Sequence, residues 1–463
     1  MLFGKMDEGF VKIFGDFFGE AITLRVLHLP IMLCPVESML HNFPGLVHLR
    51  YLCLGTSKSQ MHLPPNISKF YHLRVLDLEL WNGSRDFPKD MSNLAKLCHF
   101  YVPSDDQLHS EIYNVGKLKL LEELKVFQVN KNSEGFEPKQ LKHLTKLREV
   151  EPGVEAVVLE RLQPHGDIQV LCIRGHGGPS CPTWLGDDFT VEALQFLYLD
   201  GVSWDVFPSL GKAWDLRELR LEDITGPKEF IIEESFCMLI KLELISLGSF
   251  RKWLYPAKEG SSLGGDLLPL DTHMFPLLQV LIIRDCSKLL GFPFSNHIVS
   301  PDWFPKLQEL EVLYCPEFSS VIPISWIESL CSVTMKSVKM LKEFTYSKSS
   351  NGAEVEIIGE SDLHSIDQVL IFDKETCLEK LTLNRCPRLE LKHLLMLTSL
   401  KTLFVFHSDA LVGPLGGQGD VEWQLPIEHM RIWDLNGNSG EELTDLLPHL
   451  PKLSKLEIDE CKT

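Results

Sequence analysis

Leu49-Arg50-Tyr51-Leu52-Cys53-Leu54 is followed, 24 residues later, by Leu73-Arg74-Val75-Leu76-Asp77-Leu78, the same apolar frame Leu-x-x-Leu-x-Leu. Working outward, the frame begins at Leu24/Leu27/Leu29 and continues as Leu97/Phe100/Val102 and Leu121/Leu124/Val126, in steps of 25, 24, 24 and 24 residues. It returns at Ile168/Leu171/Ile173, Leu194/Leu197/Leu199, Leu216/Leu219/Leu221, Leu242/Ile245/Leu247, Leu278/Leu281/Ile283 and Leu307/Leu310/Val312. Leu378/Leu381/Leu383, Leu400/Leu403/Val405, Ile427/Met430/Ile432 and Leu453/Leu456/Ile458 complete the series. With weaker copies between them the frame recurs roughly fifteen to seventeen times, in or near the 20–29-residue period of a leucine-rich repeat.

The last two apolar positions of each frame are two apart, so in an extended strand they share one face while their neighbours take the other. One strand cannot bury such a face by itself, but stacked coils can: the strands join into a parallel sheet and the remaining leucines fill the space behind it. The expected fold is therefore an α/β leucine-rich-repeat solenoid, a curved horseshoe or arc. Its parallel sheet lines the concave face, and irregular or short helical segments lie on the convex one. Residues 1–23 read as an N-terminal partial repeat or cap and 24–463 as the solenoid, with loop insertions near 256–274 and 345–377. The first holds Gly260-Ser261-Ser262-Leu263-Gly264-Gly265-Asp266 and the second opens with Ser347-Lys348-Ser349-Ser350-Asn351-Gly352, runs of turn-forming residues.

Composition narrows the function. The 463 residues are 44% hydrophobic and 24% charged, enough apolar surface for an extended core. With 64 Asp and Glu against 45 Lys and Arg, the formal charge of -19 has the wrong sign for nucleic acid or anionic lipid. The cluster Lys139, Lys142, Lys146 and Arg148 reads as a solvated face. The opening Met1-Leu2-Phe3-Gly4-Lys5-Met6-Asp7-Glu8 has charges where a secretory signal has its apolar centre, and no run approaches the ~18 apolar residues of a membrane span. Twelve cysteines without a C-x-x-C pair suit reduced thiols, so a cytoplasmic protein with neither membrane insertion nor bound metal is expected.

Motifs suggestive of chemistry lack the setting that chemistry needs. Gly260-Ser261-Ser262-Leu263-Gly264 matches G-x-S-x-G, but a nucleophile at Ser262 requires a strained strand-to-helix turn. Gly175-His176-Gly177-Gly178 lacks the third glycine of a dinucleotide turn, and Pro179 and Pro182 oppose the helix that should follow. No phosphate-binding loop occurs, so neither enzyme activity nor a cofactor is expected. Cys286, Cys315, Cys386 and Cys461 each stand three residues after a strand apolar residue, Ile283, Val312, Leu383 and Ile458. That shared position is structural: a small weak donor can meet the backbone where the chain turns away from the strand. Trp81, His176 and Ser408 occupy the same place in other repeats.

The phrase Gly175-His176-Gly177-Gly178-Pro179-Ser180-Cys181-Pro182-Thr183-Trp184-Leu185 resembles the Gly-rich, Pro-x-Trp-Leu segment of plant intracellular nucleotide-binding leucine-rich-repeat disease-resistance proteins. Phe207-Pro208-Ser209-Leu210-Gly211, Cys386-Pro387-Arg388-Leu389 and Leu46-Val47-His48-Leu49-Arg50-Tyr51-Leu52 are similar to other phrases of that repeat region. The family's coiled coil and nucleotide-binding switch are not expected here, because the first repeat starts too close to Met1 for a domain of ~50 residues. The resemblance implies a non-enzymatic module of plant innate immunity. Its protein partner would be a pathogen effector or a guarded host protein, with a nucleotide-binding switch domain as another candidate. The rival readings are a signalling scaffold or ubiquitin-ligase substrate adaptor, an esterase using Ser262 and an extracellular receptor.

Residues flanking the buried strand positions should face the concave wall and touch a partner. They are Tyr51, Asp77, Glu79, Tyr101, Lys125, Phe127, Arg174, Tyr198, Asp200, Arg220, Glu222, Arg284, Glu311, Phe404, Phe406, Arg431 and Trp433. Aromatic and arginine side chains dominate interface energies because they bury much area for little lost entropy. The set Phe404, Phe406, Arg431 and Trp433, on neighbouring coils, is the strongest patch.

Overall fold

The computed structural model describes residues 21–32, 46–56, 60, 62–63, 65–84, 87–103, 112–128, 138–147, 149–153, 160, 164–175, 178, 180–186, 188–205, 207–208, 210–226, 229–231, 236–254, 274–292, 304–319, 328–350, 352–370, 378–408, 411, 423–434 and 439–460. It divides into two compact units, Met1–Leu216 and Arg217–Thr463. Both are built from parallel strands joined by short connecting segments, the architecture of a leucine-rich-repeat solenoid.

In the first unit the strands are β1 (Val26–Met32), β2 (Tyr51–Thr56), β3 (Val75–Asp77), β4 (His99–Tyr101), β5 (Glu123–Gln128), β6 (Glu149–Gly153), β7 (Val170–Arg174) and β8 (Phe196–Asp200). Each pairs in parallel with the next, and the frame residues fall in one column: Leu27 beside Leu52, Leu52 beside Leu76, Leu76 beside Phe100. Leu52, Leu54, Leu76 and Leu78 are fully buried, each worth about 2 kcal/mol relative to exposure. Pro65–Lys69, Lys89–Asn93, Val115–Lys117 and Pro138–His143 are single 3-10 turns that bring the chain back behind the strands, each packed on the next. The Pro-x-Trp-Leu phrase sends Trp184 and Leu185 into this interior, and Trp204 follows from the next coil.

The second unit runs β9 (Glu218–Glu222), β10 (Glu229–Ile231), β11 (Lys241–Ile245), β12 (Lys252–Leu254), β13 (Val280–Arg284), β14 (Glu309–Leu313), β15 (Ser332–Val338), β16 (Leu341–Ser349), β17 (Gly352–Gly359), β18 (Leu378–Asn384), β19 (Thr402–Phe406), β20 (His429–Trp433) and β21 (Lys455–Asp459). β10 and β12 form a small parallel pair of their own. Two short helices, α1 (Leu391–Met396) and α2 (Ser439–Leu446), occupy connecting segments. Phe236, Phe275 and Phe304, one per coil, stack through centroids 5.5 and 5.3 Å apart.

Two expectations are corrected. The frame at Leu242/Ile245/Leu247 is displaced: Leu242 and Leu244 are the buried pair of β11, opposite Leu219 and Leu221, and Ile245 lies on the opposite strand face. Leu239 heads that frame, and an aliphatic residue at every third position, Leu239, Leu242 and Ile245, hid the true phase. The loop insertion near 345–377 is also not what the sequence suggested. β16 pairs antiparallel with both β15 and β17, so a hairpin is built into the sheet before β17 resumes parallel pairing with β18. Phe344, Tyr346, Ala353, Val355 and Ile357 are buried while Glu354 and Glu356 are exposed, the alternation of a strand. Gly352 turns the hairpin at φ 127°, where a Cβ would lie 2.4 Å from the Glu379 side chain. Ser262 and the whole Gly260–Asp266 run, like Cys461, lie outside the described residues.

The coils leave their strands through a common corner. Gly175, Gly201, Asp223, Ser246, Asp285, Tyr314, Ser337, Arg385, His407, Asp434 and Glu460 all have φ between 50 and 63°. All but Ser337, which lies within β15, and Glu460, which follows the exposed Ile458 of β21, stand two residues after the last buried strand residue. The left-handed turn aims its N–H at the next coil: Asp285 donates to Leu313 O at 3.0 Å, Tyr314 to Lys336 O at 2.8 Å and Arg385 to Phe406 O at 2.9 Å. It also sends the following side chain inward. That is the position of Cys286, Cys315, Cys386 and Ser408, all buried. Cys286 Sγ donates to Leu244 O at 3.7 Å and Cys386 Sγ to Ile357 O at 3.5 Å, both in the preceding coil. Burial pushes the Cys386 thiol up to about 12.

A β-branched side chain is strongly disfavoured at positive φ. Asp285→Val should lower stability by about 1–2 kcal/mol, read as a fall in denaturant midpoint, whereas Asp285→Gly should stay close to the parent. Equal losses for the two variants would disprove the role assigned to the corner.

Candidate protein-binding surface

Strand alternation decides which side chains remain available. In β8, β9, β11, β13, β19 and β20 every second residue is buried and the intervening ones are half-exposed on the open sheet face. Of the residues singled out from sequence, Tyr51, Asp77, Tyr101, Tyr198, Asp200, Arg220, Glu222, Arg284, Glu311, Phe404, Phe406, Arg431 and Trp433 are half-exposed, and Glu79 and Arg174 are exposed. Lys125 and Phe127 belong to β5, but their side chains lie outside the described ones.

Parallel register brings many of these residues together. Tyr51 donates its hydroxyl to Asp77 Oδ2 at 2.7 Å across β2 and β3. Burial and that hydrogen bond raise the phenol's proton affinity, and beside it burial and the Asp77 charge push the Cys53 thiol up to about 12. Arg174 lies 3.7 Å from Asp200. Arg220 meets Glu222 at 2.6 Å on its own strand and Glu243 of β11 at 3.7 Å, and Lys241 reaches the same Glu243 at 3.1 Å. Arg284 is bonded to Glu311 of β14, which raises the guanidinium's proton affinity. Lys336 pairs with Glu343 at 3.0 Å. These charges satisfy one another, and exposed pairs contribute only about 0–1 kcal/mol apiece.

The last coils differ. Phe404 and Phe406, on one strand, have ring centroids 6.1 Å apart. Phe404 meets His429 edge-on at 5.0 Å, and Phe406 meets Trp433 edge-on at 6.3 Å. The Arg431 guanidinium lies 5.9 Å from the Phe406 centroid and is held at 3.3 Å by Glu457. Trp433 Nε1 donates to Glu460 at 3.1 Å, and His407 stands 5.5 Å from the indole with its Nδ1 2.9 Å from Asp434. Four expected residues thus form one aromatic patch. Its supports, His407, His429, Glu457 and Glu460, were not singled out from sequence. His429 and Glu457 obey the same alternation and could have been found by it. His407 and Glu460 occupy the left-handed corner, which leaves no apolar signature.

Among the described residues one cluster offers metal-type donors: Asp367, Glu390 and His393 have ligand atoms within 4.8 Å of one another. Those atoms are already committed. His393, 3% exposed, accepts the Glu390 N–H at Nδ1 (3.0 Å) and stands with Nε2 2.8 Å from Asp367, while the Lys392 ammonium bonds Asp367 and lies 3.2 Å from Glu390. The arrangement caps α1 and ties it to the 3-10 turn Ile366–Gln368.

Burial alone would raise the Asp367 carboxyl, but bonds to Lys392 and His393 hold it below the usual carboxylate value. A lowered carboxyl stabilises the fold above its unfolded pKa of about 3.9, and that contribution disappears as pH falls through the lower folded value. Asp367→Asn should therefore lose less stability than the parent between neutral pH and pH ~3, measured by denaturant melts. An identical acid response in the two proteins would refute this role.

Comparison with known proteins agrees with the repeat architecture. A leucine-rich repeat region model matches residues 19–166, and the R13L1/DRL21 LRRs model matches 131–224. The chain is 26% identical over 179 residues to the disease resistance RPP13-like protein 1 of Arabidopsis thaliana, which is 39% of this chain and 14% of that protein. It is 24% identical over 188 residues to the disease resistance protein RGA1 of Solanum bulbocastanum, covering 41% of this chain and 14% of that relative. The chain thus spans a small part of the length of these relatives, and the likeness lies in the leucine-rich repeats. Among solved structures, the Toll–Spatzle complex of Drosophila aligns with 97% of this chain and 68% of its own at a TM-score of 0.52 and 13% identity. A leucine-rich-repeat protein of Leptospira interrogans aligns with 99% of this chain and 93% of its own at 0.43 and 14%. Among the described residues no helix is long and apolar enough to cross a membrane.

Proposed function

We propose that this chain is a non-enzymatic recognition module of plant innate immunity, which holds a pathogen effector or a guarded host protein against its open sheet face. The observation that carries the reading is the patch of Phe404, Phe406 and Trp433. On that face most charged side chains are neutralised by neighbours, whereas these rings offer apolar area for a partner to cover. Similarity to disease resistance proteins supports the setting in defence. The family matches end at residue 224, so the patch is argued from its geometry and not from likeness. The reading puts the protein in the cytoplasm, where thiols that donate to backbone carbonyls, such as Cys286 and Cys386, stay reduced.

Truncating an interface anchor costs about 2 kcal/mol or more. Proximity labelling in leaf cells, with the parent compared to a Phe404→Ala, Phe406→Ala, Trp433→Ala variant, should show a subset of neighbours lost from the variant. Because the rings contact one another, the variant's melt is measured alongside. Identical neighbours for the two folded proteins would remove the patch from the proposal.

A further inference from the structure

A second surface in the first unit has the opposite electrostatic character from the whole chain. Before each strand the chain makes a four-residue turn closed by a backbone hydrogen bond: Leu49 N to Leu46 O at 3.1 Å, Leu73 N to Phe70 O at 2.8 Å and Leu97 N to Leu94 O at 2.8 Å. The residues at both ends of each turn are buried, which pushes the two apex side chains into solvent. They are Val47 and His48, Tyr71 and His72, Ala95 and Lys96. One residue beyond each turn comes an arginine or its replacement, and this column is stacked by the sheet itself. Arg50 N donates to Arg25 O at 2.8 Å, Arg74 N to Arg50 O at 2.7 Å and Cys98 N to Arg74 O at 2.8 Å. Consecutive coils are about 4.8 Å apart, so Arg25, Arg50 and Arg74 form a ladder flanked by His48, His72 and Lys96, all exposed.

Among the described residues no ion pair joins any of these six groups to a carboxylate. Lys96 instead donates to His72 Nδ1 at 2.9 Å, and the His48 and His72 rings lie 5.9 Å apart. Lys96 foremost, then burial, His48 and Arg50 lower the His72 proton affinity, the response of an imidazole in a positive field. The turn does not demand these charges: Gln169, Gln195, Gln279 and Gln308 hold the arginine position in other coils. Among the same apices Tyr71 is 59% exposed and Val47 44%, so apolar area lies beside the charge. Like charges held this close, well inside a ~10 Å screening length, repel one another and weaken the coils that carry them. An anionic partner turns that repulsion into attraction.

We propose that the strand-entry edge of β1–β4, with Arg25, Arg50, Arg74 and Lys96, docks an acidic segment of a protein. Guanidinium forks take carboxylates in bidentate pairs, and Tyr71 and Val47 cover apolar side chains between them. The acidic protein segment is favoured over nucleic acid by those apolar apices and by the net charge of -19, which repels a long polyanion. These residues belong to the first unit and the ring patch to the second, and the proposal stands without that patch.

The test is fluorescence anisotropy with a labelled oligoglutamate peptide, at low and moderate salt, on the full chain. Charge-matched oligothymidylate and phosphatidylserine vesicles are the comparison probes. The parent should bind the peptide in a salt-dependent way, and Arg50→Glu with Arg74→Glu should weaken binding at least about tenfold. Arg50→Gln with Arg74→Gln should weaken it less, and Phe404→Ala with Trp433→Ala should leave it unchanged. Failure of the parent to bind at low salt, or equal affinity after charge reversal, overturns the proposal. Tighter binding of oligothymidylate or vesicles overturns the assignment to a protein segment.

Discussion

Each coil passes its backbone to the next in register, and through that parallel pairing a leucine in one strand lies beside a leucine, phenylalanine or valine in its neighbour. Leu52 against Leu76 and Leu76 against Phe100 are the same contact one coil apart. The hydrogen bonds fix direction and the apolar columns fix phase, because a slip of one residue would turn every buried leucine outward. The corners serve the same pairing. A left-handed residue costs about 1 kcal/mol when it is not glycine. The N–H it presents to the following coil offsets that cost, as at Asp285, Tyr314 and Arg385.

This explains what could be read in advance. The strands were legible because burial on one face of a strand needs apolar residues two apart, a pattern visible in letters. The strand-face residues followed from the same parity, and Phe404, Phe406, Arg431 and Trp433 lie together because consecutive frames pair without offset. Where a segment has an aliphatic residue at every third position, as at Leu239, Leu242 and Ile245, parity alone cannot choose the phase; pairing with Leu219 and Leu221 does. The β16–β17 hairpin was hidden by its turn, since Ser, Asn and Gly mark loops and hairpins alike. Its buried Ala353, Val355 and Ile357 against exposed Glu354 and Glu356 carried the signal.

The corner residues were least legible. Asp, Ser, Tyr, Arg, His and Glu all occupy the left-handed position, so what selects it is the waiting carbonyl of the next coil and not an intrinsic preference of the residue. Sequence gave the inward cysteines their address without the reason for it. That reason is geometric: after a left-handed residue the chain turns in, and a thiol is small enough to fit while its S–H reaches a carbonyl of the preceding coil. The pairings of Arg220 with Glu243 and Arg284 with Glu311 were likewise invisible, because they join residues 23 and 27 apart whose approach depends on register.

The three kinds of surface on this molecule differ in how a partner would gain from them. Charges paired along and across strands, such as Arg220 with Glu222 on its own strand and with Glu243 on the next, are satisfied in water. A partner covering them must strip that hydration and replace bonds already made, which favours selectivity over affinity. The Phe404, Phe406 and Trp433 rings have no comparable penalty, since covering them removes apolar area from water at about 25 cal/mol per Å². Their edge-on contacts and the carboxylate at Trp433 Nε1 also hold them in place beforehand, which reduces the entropy lost on docking. The Arg25–Arg50–Arg74 ladder acts differently again: exposed and without a carboxylate partner among the described residues, it attracts at a distance of about a Debye length and so governs encounter more than residence. A recognition solenoid gains from keeping these properties on separate coils, because a ring patch crowded with unpaired charge would have to desolvate ions in order to bury its rings.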